Sequence, residues 1–306
     1  MEKNEKLTLR GAVQLCAAHT FPAAVTPALL GGALACGFGG RLRPWLLLLT
    51  ILTAVALQAA VNIFNDCADF LSGLDNSGNC PDSEDAALVF GGASPKRALM
   101  LGAAAVIFAA VCGGVIVCLT SARVIFFAAA AAAAIAVYTV PALRFTRLPL
   151  GEALSGITMG GVLAAASFFI QTGKLTSGAM LCCIPCVITV GCIMLMNNTC
   201  DIEKDRAGEK RTFSTFFGRK ASRAALCASL AAAAAATLIL TAVYFPHGMA
   251  GAIFSVLWLA ASPSARAVFT LVPTLQSRPA CMATVVRAHT IISLGLVLSS
   301  AFSALV

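Results

Sequence analysis

The sequence predicts an all-α integral membrane protein, built as a bundle of about nine transmembrane helices. Two observations lead to this fold class: 59% of the 306 residues are hydrophobic while only 11% are charged, and the mean hydropathy is +0.90. About a quarter of the residues in a water-soluble domain are charged, so this chain lacks the residues for a fully hydrated surface. The acidic residues that it does carry are concentrated in two short segments.

Nine apolar runs are each long enough to cross a bilayer, which takes roughly 20 helical residues. Such long uninterrupted runs indicate helices rather than the short strands of a barrel. We expect the first run to be retained as a span, because its apolar part is too long for a signal peptide. The runs lie near residues 12–38, 44–65, 97–120, 121–143, 149–172, 177–198, 222–245, 249–272 and 283–305.

The basic residues predict the orientation of the helices. With a cytoplasmic N-terminus, 17 of the 21 Lys and Arg residues fall on the cytoplasmic side, as the positive-inside rule expects. All 13 acidic residues fall on the same side. We therefore predict a multi-pass protein of the plasma (inner) membrane with its chemistry facing the cytoplasm. The net charge of +8 fits this topology and contact with lipid head groups, and no segment resembles a nucleic-acid-binding module.

The first acidic segment, residues 62–75, directly follows an apolar run. Carboxylates at the mouth of an apolar segment are costly unless cations neutralise them. A donor set of oxygens, without His or Cys at ligand spacing, favours a hard ion such as Mg²⁺. Magnesium in such a setting commonly holds a phosphate group. The Asn and Asp residues of this segment are Asn62, Asn65, Asp66, Asp69 and Asp75.

The second acidic segment, residues 197–206, has the same form and again follows an apolar run. Asp201 and Asp205 are four residues apart, so they share a face if the preceding helix continues for one turn. Two matching segments indicate an internal duplication within a single domain, residues 1–306. Each segment taken alone could equally be a solvated loop between helices. Four predicted spans separate the segments, so both lie on the same side of the membrane.

Two further loops carry candidate functional residues. Residues 76–96 are polar and rich in glycine, which is typical of a lid or binding loop. The short basic loop after Tyr138 contains Arg144 and Arg147, which could contact phosphate or simply anchor the helix ends. The 13 cysteines show no disulfide framework, and most lie singly within apolar runs.

The two acidic segments resemble the paired aspartate-rich motifs of the UbiA superfamily of intramembrane prenyltransferases. The first reads Asn62-x-x-Asn65-Asp66-x-x-Asp69-x-x-x-Gly73-x-Asp75, and the second reads Asn198-x-x-Asp201-x-x-x-Asp205-Arg206. The Gly-x-Asp ending of the first is most similar to the dihydroxynaphthoate polyprenyltransferases of menaquinone synthesis. Further likeness lies in Thr20-Phe21-Pro22, Leu150-Gly151-Glu152 and Lys210-x-Thr212. The chain departs from the family pattern at His19, Cys67 and Phe216, where basic residues or Tyr are usual, and Arg97, Arg211 and Arg219 are nearby substitutes.

The resemblance implies a helical bundle around a central cavity, capped by two aspartate-rich cytoplasmic loops. It implies that Mg²⁺ ions bridge the catalytic carboxylates to the diphosphate of a polyprenyl chain, which is transferred to an aromatic acceptor, 1,4-dihydroxy-2-naphthoate. The implied metal ligands are Asp66, Asp69, Asp201 and Asp205. The implied substrate-binding residues are Asn62, Asn65, Asp75, Tyr138, Arg144, Asn198 and Lys210.

Two alternatives remain open at this stage. Other members of the superfamily use hydroxybenzoate, homogentisate, a glycerol-phosphate lipid or haem as the acceptor. A cation-linked transporter is a different class, but transporters place ionisable groups near the middle of the bilayer. The middle of each predicted span contains no Asp, Glu, Lys or Arg, which favours an enzyme. The oligomeric state is not predicted.

Overall fold

The computed structural model describes residues 7–77, 87–90, 93–139 and 149–306, and helices are the only regular elements in these ranges. The α-helices are, in chain order, α1 (Leu9–Leu15), α2 (Pro22–Gly37), α3 (Pro44–Leu71), α4 (Pro95–Leu119), α5 (Val124–Thr139), α6 (Gly151–Ser155), α7 (Leu163–Thr172), α8 (Ser177–Cys182), α9 (Ile184–Cys200), α10 (Ile202–Ala207), α11 (Phe213–Tyr244), α12 (Met249–Ala261), α13 (Pro263–Thr270) and α14 (Arg278–Ser303).

Seven helical segments are long and apolar enough to cross a membrane, which confirms the predicted all-helical membrane fold. An eighth span results if α12 and α13, which are bent by 51° at their junction, are counted together. Of the nine predicted spans, the described residues thus confirm seven, or eight if the bent pair is counted as one span. The remaining predicted span, 121–143, corresponds to α5, whose 16 residues reach only about 24 Å of the roughly 30 Å apolar core. The seven segments are Ala18–Gly37, Pro44–Leu71, Pro95–Leu119, Gly151–Thr172, Ser177–Cys200, Phe213–Tyr244 and Arg278–Ser303.

Prolines define where several of these helices begin. Pro22, Pro44, Pro95 and Pro263 each occupy the first turn of a helix. The missing amide hydrogen of proline has no cost there, because the first amides of a helix lack a partner within it. The sequence thus sets the starting points of α2, α3, α4 and α13.

A π-helical segment, Gly156–Val162, joins α6 to α7 within one span. It packs closely against α9, and glycine makes this approach possible. A Cβ atom added at Gly160 would lie 2.6 Å from the carbonyl oxygen of Cys186. Small residues allow such close helix contact inside membranes, where the hydrophobic effect does not drive helix association.

One buried polar network ties three helices together in the middle of the bundle. The imidazole of His289 in α14 is fully buried and contacts the hydroxyl of Thr26 in α2. Its Nδ1 atom lies 2.8 Å from the hydroxyl of Thr189 in α9. Polar groups in an apolar interior need such partners, so the network fixes the packing of α2, α9 and α14. All the cysteines in the described ranges are free.

The functional candidates meet at one end of the bundle. The last turns of α3, the junction of α9 with α10, and the first turns of α11 and α14 all lie there. One correction concerns the first motif, which was predicted in a loop. Asp66 and Asp69 lie within the last two turns of α3, because the helix continues through the polar residues to Leu71.

Candidate functional site

Lys204 joins the two aspartate motifs. This lysine belongs to α10, in the second motif, and its Nζ atom lies 2.5 Å from Oδ1 of Asp75 and 3.4 Å from Oδ2 of Asp69. Its side chain is only 12% exposed. The structure thus confirms that the two motifs lie together, and sequence reasoning missed the lysine that connects them although it stands inside the second motif.

Lys210, predicted to contact the substrate, also reaches the first motif. Its Nζ atom lies 3.3 Å and 3.4 Å from the two carboxylate oxygens of Asp69. The Asp69 carboxylate therefore has two ammonium groups beside it. Lys210 is much more exposed than Lys204, so its ammonium group is accessible to a ligand as well.

Asp201 and Asp205 keep the one-turn spacing predicted from the sequence. α9 ends at Cys200, Asp201 caps the N-terminus of α10, and the Asp205 amide donates to the Asp201 carbonyl at 2.8 Å. Both residues are only 6% exposed. Oδ1 of Asp201 and Oδ2 of Asp205 are buried without a hydrogen-bond partner within the described ranges. Two carboxylate oxygens therefore remain available to a ligand or cation.

Burial changes the acid–base behaviour of these two carboxylates. Desolvation, together with the neighbouring charge of Asp201, raises the pKa of Asp205 to about 7. Desolvation also raises the pKa of Asp201, although the charges of Arg278 and Lys204 oppose the shift. For Lys204, burial lowers the pKa, but the hydrogen bond and charge of Asp75 outweigh it and the net pKa is raised. The lysine therefore stays charged.

Arg278, the first residue of α14, adds a third cation to the site. Its Nη2 atom lies 3.8 Å from Oδ2 of Asp201. Its Nε and Nη2 atoms donate to Oδ1 of Asn197 at 3.2 Å and 2.9 Å. Sequence reasoning counted Arg278 only among the cytoplasmic charges, because no local pattern relates the start of the last span to the second motif. Arg219, suggested as a substitute cation, instead pairs with the exposed Glu203.

The Glu152 carboxylate hydrogen-bonds to residues on both sides of the second motif. Its Oε1 atom accepts a hydrogen bond from Nδ2 of Asn198 at 2.8 Å and one from the backbone amide of Phe213 at 3.0 Å. Asn198 lies in the last turn of α9, three residues before Asp201. Phe213 is the first residue of α11, three residues after Lys210. The carboxylate is buried, and its Oε2 atom has no partner in the described part of the chain. The Gly151-Glu152 pair was noted in the sequence, but not as part of the site.

Asn62 lies at the edge of the site and binds the segment before α2. Its Nδ2 atom donates to the Cys16 carbonyl and to the Thr20 hydroxyl, both at 3.0 Å. Nε2 of Gln58, one turn earlier in α3, donates to Oδ1 of Asn62 at 3.3 Å. The amide thus anchors the N-terminal segment to α3. Asn65 is exposed beside it.

Two predicted substrate-binding residues have no described side chain. Tyr138 lies in α5, near its C-terminal end, where the structure describes the backbone only. Arg144 lies outside the described residues, and so does Arg147. The predictions for this loop therefore stay predictions.

The donor chemistry of the site suits a hard cation, although the ligands are not preassembled. Across the described ranges, no three His, Cys, Asp or Glu side chains converge closely enough to hold a metal ion. Asp69 and Asp75 are held by lysines instead. The free buried oxygens of Asp201 and Asp205 are nevertheless the kind of oxygen donors that Mg²⁺ selects. The donor atoms present are thus of the kind that suits magnesium.

Comparison with known proteins places the site in a family context. The profile of the UbiA prenyltransferase family matches residues 24–293. The chain is 33% identical to the 1,4-dihydroxy-2-naphthoate octaprenyltransferase of Bacillus subtilis, over 72% of this chain and 70% of that protein. It is 27% identical to the human UbiA prenyltransferase domain-containing protein 1, over 71% of this chain and 65% of that protein.

Solved structures share the fold. A UbiA homolog from Archaeoglobus fulgidus, bound to DMAPP and Mg²⁺, superposes with a TM-score of 0.57 at 14% identity, covering 92% of this chain and 99% of that one. The apo UbiA homolog from Aeropyrum pernix K1 gives a TM-score of 0.61 at 18% identity, covering 90% and 96%. At these identities the likeness establishes the fold alone.

Proposed function

Because the chain belongs to the UbiA prenyltransferase family, we propose that it transfers a polyprenyl group from polyprenyl diphosphate to an aromatic acceptor, 1,4-dihydroxy-2-naphthoate. The choice of acceptor rests on the similarity to the Bacillus subtilis octaprenyltransferase and on the Gly73-x-Asp75 ending of the first motif. Menaquinone biosynthesis is the process that this reaction serves.

The observation that carries the proposal is the meeting of both aspartate motifs with three cations at one end of an apolar bundle. Lys204 and Lys210 contact the first motif, and Arg278 contacts Asp201. A diphosphate is a multiply charged anion, and it needs positive partners both when it binds and when it leaves. A site with fixed cations and free carboxylate oxygens can hold it through ammonium groups and through metal ions together.

Asp66, Asp69, Asp201 and Asp205 are the residues that would hold Mg²⁺. When bound, magnesium neutralises the diphosphate and stabilises its charge as it leaves. Asn62 and Asn198 would position these carboxylates, since each amide hydrogen-bonds a neighbouring element at the edge of the site. Asp75 keeps Lys204 charged and oriented toward the first motif.

The remaining residues supply binding and exclusion of water. Lys210 is exposed enough to donate to a diphosphate oxygen, and Arg278 presents a guanidinium group beside Asp201. Loss of diphosphate leaves an allylic carbocation, which water would destroy. The apolar bundle below the site keeps water away and accommodates the prenyl tail, so that a ring carbon of the acceptor attacks instead.

The orientation in the membrane belongs to the same proposal. The basic residues favour a plasma-membrane protein whose aspartate motifs face the cytoplasm. Single cysteines placed near Asn79 or Glu209, in a background without native cysteines, test this. They should resist an impermeant thiol reagent added to intact cells and react after the cells are opened. Labelling from outside would contradict the orientation.

The activity is tested with purified protein in detergent. We expect Mg²⁺-dependent transfer from a polyprenyl diphosphate to 1,4-dihydroxy-2-naphthoate, and no transfer after chelation. A panel containing 4-hydroxybenzoate, homogentisate, a glycerol-phosphate lipid and haem distinguishes the acceptors used elsewhere in the superfamily. Prenylation of another panel member in preference to the naphthoate would overturn the acceptor. Full transfer with chelator present would overturn the role of the metal.

A further inference from the structure

The chain bends by 51° between α12 and α13. Trp258, half-exposed, stands one turn before the bend, and tryptophan concentrates at membrane–water interfaces. The chain then runs through α13 to Arg278, which contacts the second motif. Beyond the bend, Phe269 of α13 is 68% exposed, and Val272 is also exposed. Phe269 and the following Val272 thus present an exposed apolar surface.

Two arginines from neighbouring helices contact α13, and a third lies on it. Nη2 of Arg223 in α11 donates to the Phe269 carbonyl at 2.6 Å, at the C-terminal end of the short helix. Nη1 of Arg287 in α14 donates to the Ser264 hydroxyl at 3.4 Å, at its N-terminal end. Arg266, between them on α13, is exposed. Ser264 and Phe269 are about 8 Å apart along the helix, and Arg266 lies between them in the sequence.

These arginines carry positive charge that the described residues do not balance. The carboxylates of the described ranges form their ion pairs with Lys204, Lys210, Arg219 and Arg278. Arg287 also lies about 13 Å along α14 from Arg278, within a helix apolar enough to span the membrane. An exposed arginine at that depth needs a counter-charge, and its neighbour Ser264 is neutral.

We propose that Arg223, Arg266 and Arg287 bind the phosphate head group of an anionic phospholipid, whose acyl chains lie on the exposed apolar surface of Trp258, Phe269 and Val272. Guanidinium groups donate paired hydrogen bonds that match phosphate oxygens. Charge decides the class of lipid: three unbalanced cations favour a head group with net negative charge, whereas a choline head group would add another cation. This site is separate from the aspartate motifs and does not depend on the proposed transferase activity.

Native mass spectrometry of the full-length protein tests the site directly. The protein is titrated in detergent with phosphatidylglycerol or with phosphatidylcholine of the same acyl chains. We expect preferential retention of phosphatidylglycerol. Removing one arginine near a membrane surface should weaken this retention about fivefold, so Arg266→Gln with Arg287→Gln should weaken it roughly 25-fold. Inorganic phosphate at the same concentration should not displace the lipid.

Matched variants make the result specific. Arg41→Gln with Arg123→Gln removes two exposed arginines at the opposite end of the bundle and should leave retention unchanged. Arg287→Lys keeps the charge and should keep most of the preference. Thermal unfolding in phosphatidylcholine checks the fold of each variant. If the double variant is unfolded, Arg266→Gln alone, at an exposed position, must still weaken retention about fivefold. Equal retention of the two lipids, or equal losses in the two arginine pairs, would overturn the proposal.

Discussion

The ammonium group of Lys204 lies 2.5 Å from the carboxylate of Asp75, so a side chain of the second aspartate motif is held by the last residue of the first. The same ammonium group reaches Asp69 at 3.4 Å. Both partners are largely shielded from water, which strengthens their attraction and makes loss of either one costly. The relative position of the two motifs therefore depends on a charge that stands beside the proposed diphosphate site.

Replacing Lys204 should damage both folding and activity. Lys204→Gln removes the ammonium group beside the largely shielded carboxylate of Asp75, so we expect a clearly lower unfolding temperature and at least a tenfold loss of kcat/KM. The matched control is Arg219→Gln, because its partner Glu203 is 69% exposed and such surface pairs contribute less than about 1 kcal/mol. Thermal unfolding and prenyl transfer measure the two effects. Comparable losses in both variants would show that Lys204 has no special role.

Substitutions of the four proposed metal ligands should impair one shared function, so that their effects on the transfer rate are not additive. Asp66→Asn, Asp69→Asn, Asp201→Asn and Asp205→Asn should each lower the transfer rate by at least about a hundredfold, as expected for loss of one strong electrostatic stabiliser. Expression should stay near that of the parent protein, and so should the unfolding temperature except in Asp69→Asn, which weakens the pairing with Lys204 and Lys210. A double substitution across the motifs should cost far less than the sum of the single effects. Additive effects in steady-state rates would indicate two independent sites.

Glu152 should act by holding the second motif rather than through its charge. Glu152→Gln keeps an oxygen that can accept from both Asn198 and the Phe213 amide, whereas Glu152→Ala removes both hydrogen bonds. We expect the alanine variant to raise the Mg²⁺ concentration needed for half-maximal rate at least about fivefold, and the glutamine variant to restore it near the parent value. Equal defects in the two variants would show that the negative charge itself is needed.

Metal binding should depend steeply on pH near neutrality. The pKa of Asp205 is raised to about 7, so below that pH a proton occupies a proposed metal ligand. The Mg²⁺ concentration for half-maximal rate should rise about tenfold per pH unit below 7, and added Mg²⁺ should restore the rate at pH 6. The folding stability of the metal-free protein should change with pH in the opposite direction to the metal affinity. The folded state holds this proton above the unfolded pKa of about 4, so stability falls as pH rises from there to 7. A half-saturating Mg²⁺ concentration that is the same at pH 6 and pH 8 would contradict the assignment.

Substituting the basic residues proposed to contact diphosphate should change the kinetic constants, whereas substituting those that only anchor the helix ends should not. Lys210→Ala and Arg144→Ala should raise KM for the prenyl diphosphate and lower kcat, while Arg147→Ala should change little. Neutral truncation is preferable to charge reversal, which would repel the substrate from a distance. Steady-state kinetics with varied prenyl diphosphate measure both constants. If Arg144→Ala had no kinetic effect while Arg147→Ala abolished most of the activity, the register assigned to the loop after Tyr138 would be wrong.

Periodic and local signals in the sequence predicted much of this protein. The apolar runs placed the long helices, and the four-residue spacing of Asp201 and Asp205 placed them one turn apart. The matching form of the two motifs predicted that they belong together, and Lys204 connects them. These features depend on residues close in the chain, which is where sequence patterns are most informative.

Contacts between distant segments could not be predicted in the same way. No spacing rule relates Arg278 to Asn197, or Glu152 to Phe213, because helix packing alone brings them together. The polar composition of residues 62–71 suggested a loop, but the helix hydrogen bonds of α3 continue to Leu71 despite it.

The π-helical segment Gly156–Val162 determines how α6, which precedes it in the same span, is rotated about the helix axis. Such a segment amounts to one inserted residue, and one residue turns an α-helix by about 100°. Deleting a single residue there would let an ordinary helix form, yet it would swing Glu152 away from Asn198 and Phe213. A length change of one residue, without any loss of polar groups, would thus disconnect the second motif.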